Sequence, residues 1–76
     1  RNLVFAQHRN TWMARDFRYK VVVRDGGRGP NELYDLRTDG REMKNQFDNP
    51  QFVVTRDRLR GELAAWQKRY NAGAAE

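Results

Sequence analysis

Two periodicities confine what this chain can fold into. From Arg18 to Arg24, the residues Tyr19, Val21 and Val23 alternate with Arg18, Lys20, Val22 and Arg24, the period-two pattern of a strand with one face turned to a core. From Pro50 onward, Phe52, Leu59, Leu63, Trp66 and Tyr70 recur at intervals of seven, four, three and four, which lines them along one side of a helix. A half-buried strand and a one-sided helix each need an apolar partner, and each can serve the other. The pairing predicts a helix over about residues 50–70 lying across one face of a sheet.

The remaining strands follow from shorter signals. Residues 3–7 and 11–15 are mixed apolar and polar segments separated by His8-Arg9-Asn10, which reads as a hairpin. Residues 32–36 form a two-faced segment, with Leu33 and Asp35 on one side and Glu32, Tyr34 and Leu36 on the other. The run Asp25-Gly26-Gly27-Arg28-Gly29-Pro30-Asn31 joins it to the strand over 18–24 as an exposed loop. This loop is a poor match to phosphate-binding loops, because those open a helix and this one is followed by a strand pattern. Asp48-Asn49-Pro50 is a helix-start signal, a capping side chain followed by proline at the first helical position. Gly61 within the helix costs about 1 kcal/mol relative to alanine, and Gly73 marks the expected frayed end. The predicted fold class is α+β: a small antiparallel sheet of about four strands with one C-terminal helix packed across one face, in a single small domain.

Composition excludes several kinds of chemistry. The chain has 76 residues with no cysteine and no serine, so it holds no thiol and no serine nucleophile, and no zinc site built on cysteine. A domain this short buries only about 60% of its unfolded surface. Together with an opening at Arg1 and no run approaching a membrane span, this suggests a piece of a longer polypeptide. The formal charge is +5, and residues 1–24 carry Arg1, Arg9, Arg15, Arg18, Lys20 and Arg24 against Asp16 alone. Residues 25–76 balance. Such asymmetry suits attraction to an anion, although arginines on a solvated strand face produce the same count.

The order of motifs along the chain is more specific than any one of them. Arg15 and Arg18-Tyr19-Lys20 precede Glu32-Leu33-Tyr34-Asp35-Leu36, then Asp39, Glu42 and Asn45, then the amphipathic helix. This arrangement, over roughly residues 9–70, resembles the C-terminal subdomain of the sulfatases, members of the alkaline phosphatase superfamily, in which a strand bearing R-Y-K precedes E-L-Y-D-L-x-x-D-P-x-E-x-x-N-L. Gly40 stands where proline is usual, and Gln46-Phe47 where asparagine is usually followed directly by leucine. The resemblance implies a non-catalytic subdomain whose parent enzyme hydrolyses sulfate esters with formylglycine and a divalent cation, commonly calcium. Formylglycine derives from the Cys or Ser of a C/S-x-P-x-R motif, so the catalytic residues, the metal ligands and both cofactors lie outside these residues. The implied partner is the catalytic domain of the parent chain, and a bacterial cytoplasm or periplasm suits such a parent.

In this setting Arg15, Tyr19, Lys20, Glu32, Leu33, Tyr34, Asp35, Leu36, Asp39, Glu42 and Asn45 have structural roles. The carboxylates accept backbone N–H bonds and fix the connector that leads to the helix. Asp35, Asp39 and Glu42 do not follow the progression of an EF-hand calcium loop. His8, the only histidine, sits in a polar turn; with Arg9 it is a candidate for the rim of the parent's substrate cleft. Two other readings stay open. One is a basic module for nucleic acid or another polyanion, since Trp12, Phe17, Tyr19 and Tyr34 interleave with Arg9, Arg15, Arg18 and Lys20, without an RRM or KH signature. The other is a protein-interaction domain. An isolated subdomain is also expected to self-associate through apolar groups left uncovered on the second sheet face, from a set including Trp12, Val22 and Leu33.

Overall fold

A computed structural model describes the backbone of residues 3–74 and the exposure of residues 3–71. Strands β1 (Val4–His8), β2 (Thr11–Arg15), β3 (Tyr19–Arg24) and β4 (Glu32–Asp35) form one antiparallel sheet in chain order, and helix α1 (Val53–Ala74) closes it on one side. This is the α+β arrangement that the two periodicities predict.

Register decides which side chains meet the helix. Phe5, Ala14, Val21 and Leu33 lie opposite one another across all four strands, with Gln7, Trp12 and Val23 in the next row on the same face and Tyr19 beside Asp35 at the other end. Leu59 and Leu63 of α1 pack onto Ala14, Val21 and Leu33, and these five residues form the buried core. Ala14 matters through its size, since a small residue in the middle of the row lets the two leucines approach the sheet. Aromatic contacts hold both ends of the helix. Phe52 meets Tyr19 edge-on at 6.4 Å, while Trp66 stacks on Phe5 at 5.2 Å and meets Trp12 edge-on at 5.7 Å. The helix therefore runs in the same direction as β3.

The element boundaries depart from the sequence reading by small amounts with local causes. The first strand starts and ends one residue later than residues 3–7. β3 begins at Tyr19 rather than Arg18, because Asp16 Oδ1 accepts the amides of both Arg18 (2.9 Å) and Tyr19 (2.7 Å) and holds Arg18 in a turn. Leu36 still donates its amide to the Arg18 carbonyl at 2.6 Å, but the chain then turns away as the Asp35 carbonyl accepts the amides of Thr38 and Asp39. At the helix start, Asn49 accepts the Gln51 amide at 3.0 Å and Pro50–Phe52 make a short 3-10 turn before α-helix begins at Val53. The helix continues through Gly73 to Ala74, so glycine does not end it.

The second sheet face carries the rows Val4, Arg15, Lys20, Tyr34; Ala6, Met13, Val22, Glu32; and His8, Thr11, Arg24. Trp12 and Leu33 are not among them. Their register with Val23 and Val21 places both under the helix, and Val22, the member of the expected set that does lie on this face, is buried at 7% exposure, so none of the three is left open to water in the way expected.

Candidate docking surface and its connector

The segment from Arg37 to Asp48 is held by side chains at fixed points along it. Asp39 accepts the Met43 amide on Oδ1 at 3.0 Å and the Lys44 amide on Oδ2 at 2.8 Å, while its carbonyl accepts the Glu42 amide. These N–H donors hold the Asp39 carboxyl below the usual carboxylate range. Glu42, in the left-handed region at φ 58, reaches across to Lys20 Nζ at 3.0 Å and ties the turn to the second sheet face.

Asn45 then joins the connector to the edge of β4. Its Oδ1 accepts the amides of Leu33 (3.0 Å) and Phe47 (2.9 Å), and its Nδ2 donates to the Asn31 carbonyl at 3.0 Å. The Gln46 amide adds a bond to the Leu33 carbonyl at 2.7 Å. The outer edge of β4 is thereby paired rather than left as a template for another strand. Phe47 follows and packs against the core beneath Arg56 and Arg60. Asn45 thus bonds across to the strand as well as within its own connector.

A second network lies on the uncovered face. Tyr34 donates its hydroxyl to Glu32 Oε1 at 2.6 Å, and Glu32 also pairs with Arg24. The tyrosine hydrogen bond, reinforced by Arg24, outweighs burial and keeps the Glu32 carboxyl below its ordinary range. The same bond, with burial and nearby acidic charge, pushes the Tyr34 phenol up to about 12. On the helix face, Asp35 is only 6% exposed and accepts both Nε and Nη2 of Arg18, each at 3.4 Å. Such a buried carboxylate needs its partner, because an unpaired charge there carries a large desolvation cost.

These pairings move the surplus charge. Arg18, Lys20 and Arg24, three of the cations concentrated near the start of the chain, are matched by Asp35, Glu42 and Glu32 from residues 25–76. Arg9 and Arg15 keep no ion-pair partner among the described residues, and the same holds for the exposed Arg37 and Arg41 of the connector, while the exposed Lys44 places its charge near Asp39. Arg15 donates instead to the Asp16 carbonyl at 3.4 Å.

His8 and Arg9 stand exposed at the tip of the β1–β2 hairpin, where Arg9 adopts φ 58 and Gln7 bonds its carbonyl. The Asn10 carbonyl accepts the Asp25 amide at 2.9 Å, so this tip and the glycine-rich loop share one end of the sheet. Asn31 organises that loop by accepting the Arg24 amide and donating to the Gly27 carbonyl. The motif residues of β4 and the connector come together, whereas His8 and Arg9 lie apart from them.

Sequence reasoning passed over the opposite end. Phe17, in the β2–β3 turn, is 87% exposed, and Val54 on the first turn of α1 is 79% exposed. In the sequence Phe17 stands only as one of the aromatics interleaved among arginines. Among the described residues there is no pocket and no cluster of three potential metal ligands, and no helix is long and apolar enough to cross a membrane. No protein-family model matches the chain, and no curated protein is significantly similar to it.

Proposed function

We propose that this chain is the non-catalytic C-terminal subdomain of a sulfatase, completing the fold of a parent enzyme that hydrolyses sulfate esters with formylglycine and a divalent cation, commonly calcium. The observation that carries this reading is the framework built by Asp35, Asp39, Glu42 and Asn45. These spaced polar residues of the motif are used to lock one connector onto β4 and β3. A motif used this way holds a subdomain's shape, and the uncovered sheet face offers a surface for the catalytic domain. His8 and Arg9, at an exposed tip and without a carboxylate partner, suit the cleft rim, where they would meet the anionic end of the substrate.

The coding sequence ahead of Arg1 and one activity assay test the reading together. The parent polypeptide should contain a C/S-x-P-x-R motif and cleave an aryl sulfate. Residues 1–76 alone should turn over neither aryl sulfate nor aryl phosphate with calcium or magnesium. Absence of the motif overturns the proposal, as does metal-dependent turnover by the isolated chain that a substitution within it abolishes.

The exposed cations Arg37, Arg41 and Lys44 of the connector favour a second reading, a module for polyanions such as nucleic acid. Titration against DNA and heparin at rising salt separates the two, because binding through phosphate or sulfate contacts weakens steeply with salt.

A further inference from the structure

We infer that the outer edge of β1 is a self-association edge, on which a second copy of this chain pairs its own β1 antiparallel and so continues the sheet. The phase of the backbone hydrogen bonds identifies the groups free to do this. The Asp16 amide donates to the Tyr19 carbonyl and the Asp25 amide to the Asn10 carbonyl, so Trp12 and Ala14, in step between them, turn their backbone groups toward β3. Alternation then turns Thr11, Met13 and Arg15 toward β1, where His8, Ala6 and Val4 meet them. Phe5 and Gln7 are left with their N–H and C=O groups pointing away from the sheet, and no described residue bonds to those groups.

The opposite edge is closed. The same alternation turns Leu33 outward on β4, and there Asn45 Oδ1 accepts its amide while the Gln46 amide donates to its carbonyl. Exposed edges are commonly blunted by lysine, proline or a bulge. Val4–His8 contains neither residue and pairs with β2 without a break in register. Among the described residues β1 is therefore the open edge of the sheet.

A second copy fits this edge group for group. Complete overlap of a five-residue strand with its own reverse places the two-fold axis at Ala6, with Phe5 opposite Gln7 of the copy and Val4 opposite His8 of the copy. Both Phe5–Gln7 pairs then exchange N–H and C=O bonds, and every outward group of the two strands is satisfied. No like charges oppose each other within the paired strands, and Val4, 55% exposed, and the exposed Ala6 each gain a cross-strand neighbour. Because each copy brings one open edge, association closes at a dimer. A five-residue edge lies at the small end of interfaces, and each copy carries a formal charge of +5. The dimer is accordingly weak, grows with protein concentration and is strengthened by salt.

Sedimentation equilibrium and amide hydrogen exchange over a range of protein concentrations test the edge. The expected result is a monomer–dimer equilibrium with nothing larger, in which exchange slows with concentration chiefly at the Phe5 and Gln7 amides. Ala6→Lys and Ala6→Glu each set like charges across the two-fold axis at an exposed position outside the core, and each should raise the dimer dissociation constant by about fivefold. A one-to-one mixture of the two variants should recover pairing as a heterodimer. Gln7→Pro removes an outward N–H while leaving the β1–β2 bonds in place and should abolish the dimer; circular dichroism checks that each variant is folded, and this variant decides the matter where an Ala6 variant is not. A protein that stays monomeric at every concentration overturns the inference, as does a dimer that the folded variants retain. A dimer whose Phe5 and Gln7 amides exchange as fast as in the monomer assigns the contact to another surface and also overturns it, and growth beyond the dimer overturns the one-edge geometry.

Discussion

Replacing Asn45 with alanine tests how the connector is held, because three hydrogen bonds converge on that one amide. Asn45→Ala strips the acceptor from the Leu33 and Phe47 amides and the donor from the Asn31 carbonyl. A hydrogen bond contributes about 0.5–1.5 kcal/mol net, and more is lost when a buried donor stays unsatisfied. Asn45 itself is exposed, so water can replace part of what is removed, except at the amide of the fully buried Leu33. The expected loss is roughly 2 kcal/mol, a large share of a stability that for this length is about 4–11 kcal/mol. In urea, with a slope of about 1 kcal/mol/M for a small domain, the midpoint should fall by about 2 M. Asn45→Asp keeps the oxygen that accepts both amides but sets a carboxylate oxygen against the Asn31 carbonyl in place of the donor, so its midpoint should fall by less than that of the alanine variant. Hydrogen exchange at the Leu33 amide should accelerate in the alanine variant and stay near the parent rate in the aspartate variant. Equal losses for the two substitutions, or unchanged exchange at Leu33 in Asn45→Ala, would refute the assignment of the edge bonds to this side chain.

Leu63→Ala should cost about 2–5 kcal/mol, the range for emptying a buried leucine site, whereas Tyr70→Ala, at a half-exposed position, should cost much less; denaturant melts of the two variants check the ordering. Burial alone would raise Asp16, but the amides of Tyr19 and Arg18 and the guanidinium of Arg58 outweigh it and hold its folded pKa below the ordinary value. Asp16 therefore stabilises the fold above the unfolded carboxylate pKa of about 3.9, and that contribution is lost as pH falls through the lower folded value. Asp16→Asn should lower the neutral-pH plateau and flatten the acid limb of a stability-against-pH curve. Tyr34 has the opposite sign. Its folded pKa is raised to about 12, so its contribution is complete below the ordinary value of about 10 and is lost as pH rises towards the folded one. Ultraviolet titration should show a late phenolate that Tyr34→Phe removes.

The sheet and helix were legible because burial imposes periodicity. Tyr19, Val21 and Val23 could face a core only as a strand, and the stripe from Phe52 to Tyr70 only as a helix. Where side chains bond to backbone, local sequence understated the outcome. Arg18 fits the alternation, yet two amide bonds to Asp16 pull it into the turn. Leu36 likewise fits the strand until the Asp35 carbonyl turns the chain. The face assignments of Trp12 and Leu33 depended on register with neighbouring strands, which period-two alternation within a single strand cannot supply. The connector shows the same division. Asp39 accepting nearby amides is a local event that turn chemistry anticipates, but Lys20 pairing with Glu42 and Arg18 with Asp35 arises only once β3 and β4 lie side by side. Phe17 was missed for a related reason: nothing in its immediate sequence says that both neighbours are clamped and the ring left outside.

Because the strands sit in the sheet in the order of the chain, assembly during synthesis has a direction. Each hairpin can form as soon as its second strand is made, with short loops to close and small entropic cost. The helix is made last, so the row Phe5, Ala14, Val21 and Leu33 waits without its cover until Leu59 and Leu63 have emerged. A chain stopped at Asp48 should therefore hold a complete set of strands yet fail to settle into a stable sheet, and soluble folded material from that truncation would show that the strands need no lid. The helix acts as the final, cooperative step, and nascent chains caught just before it are the ones most exposed to misassembly.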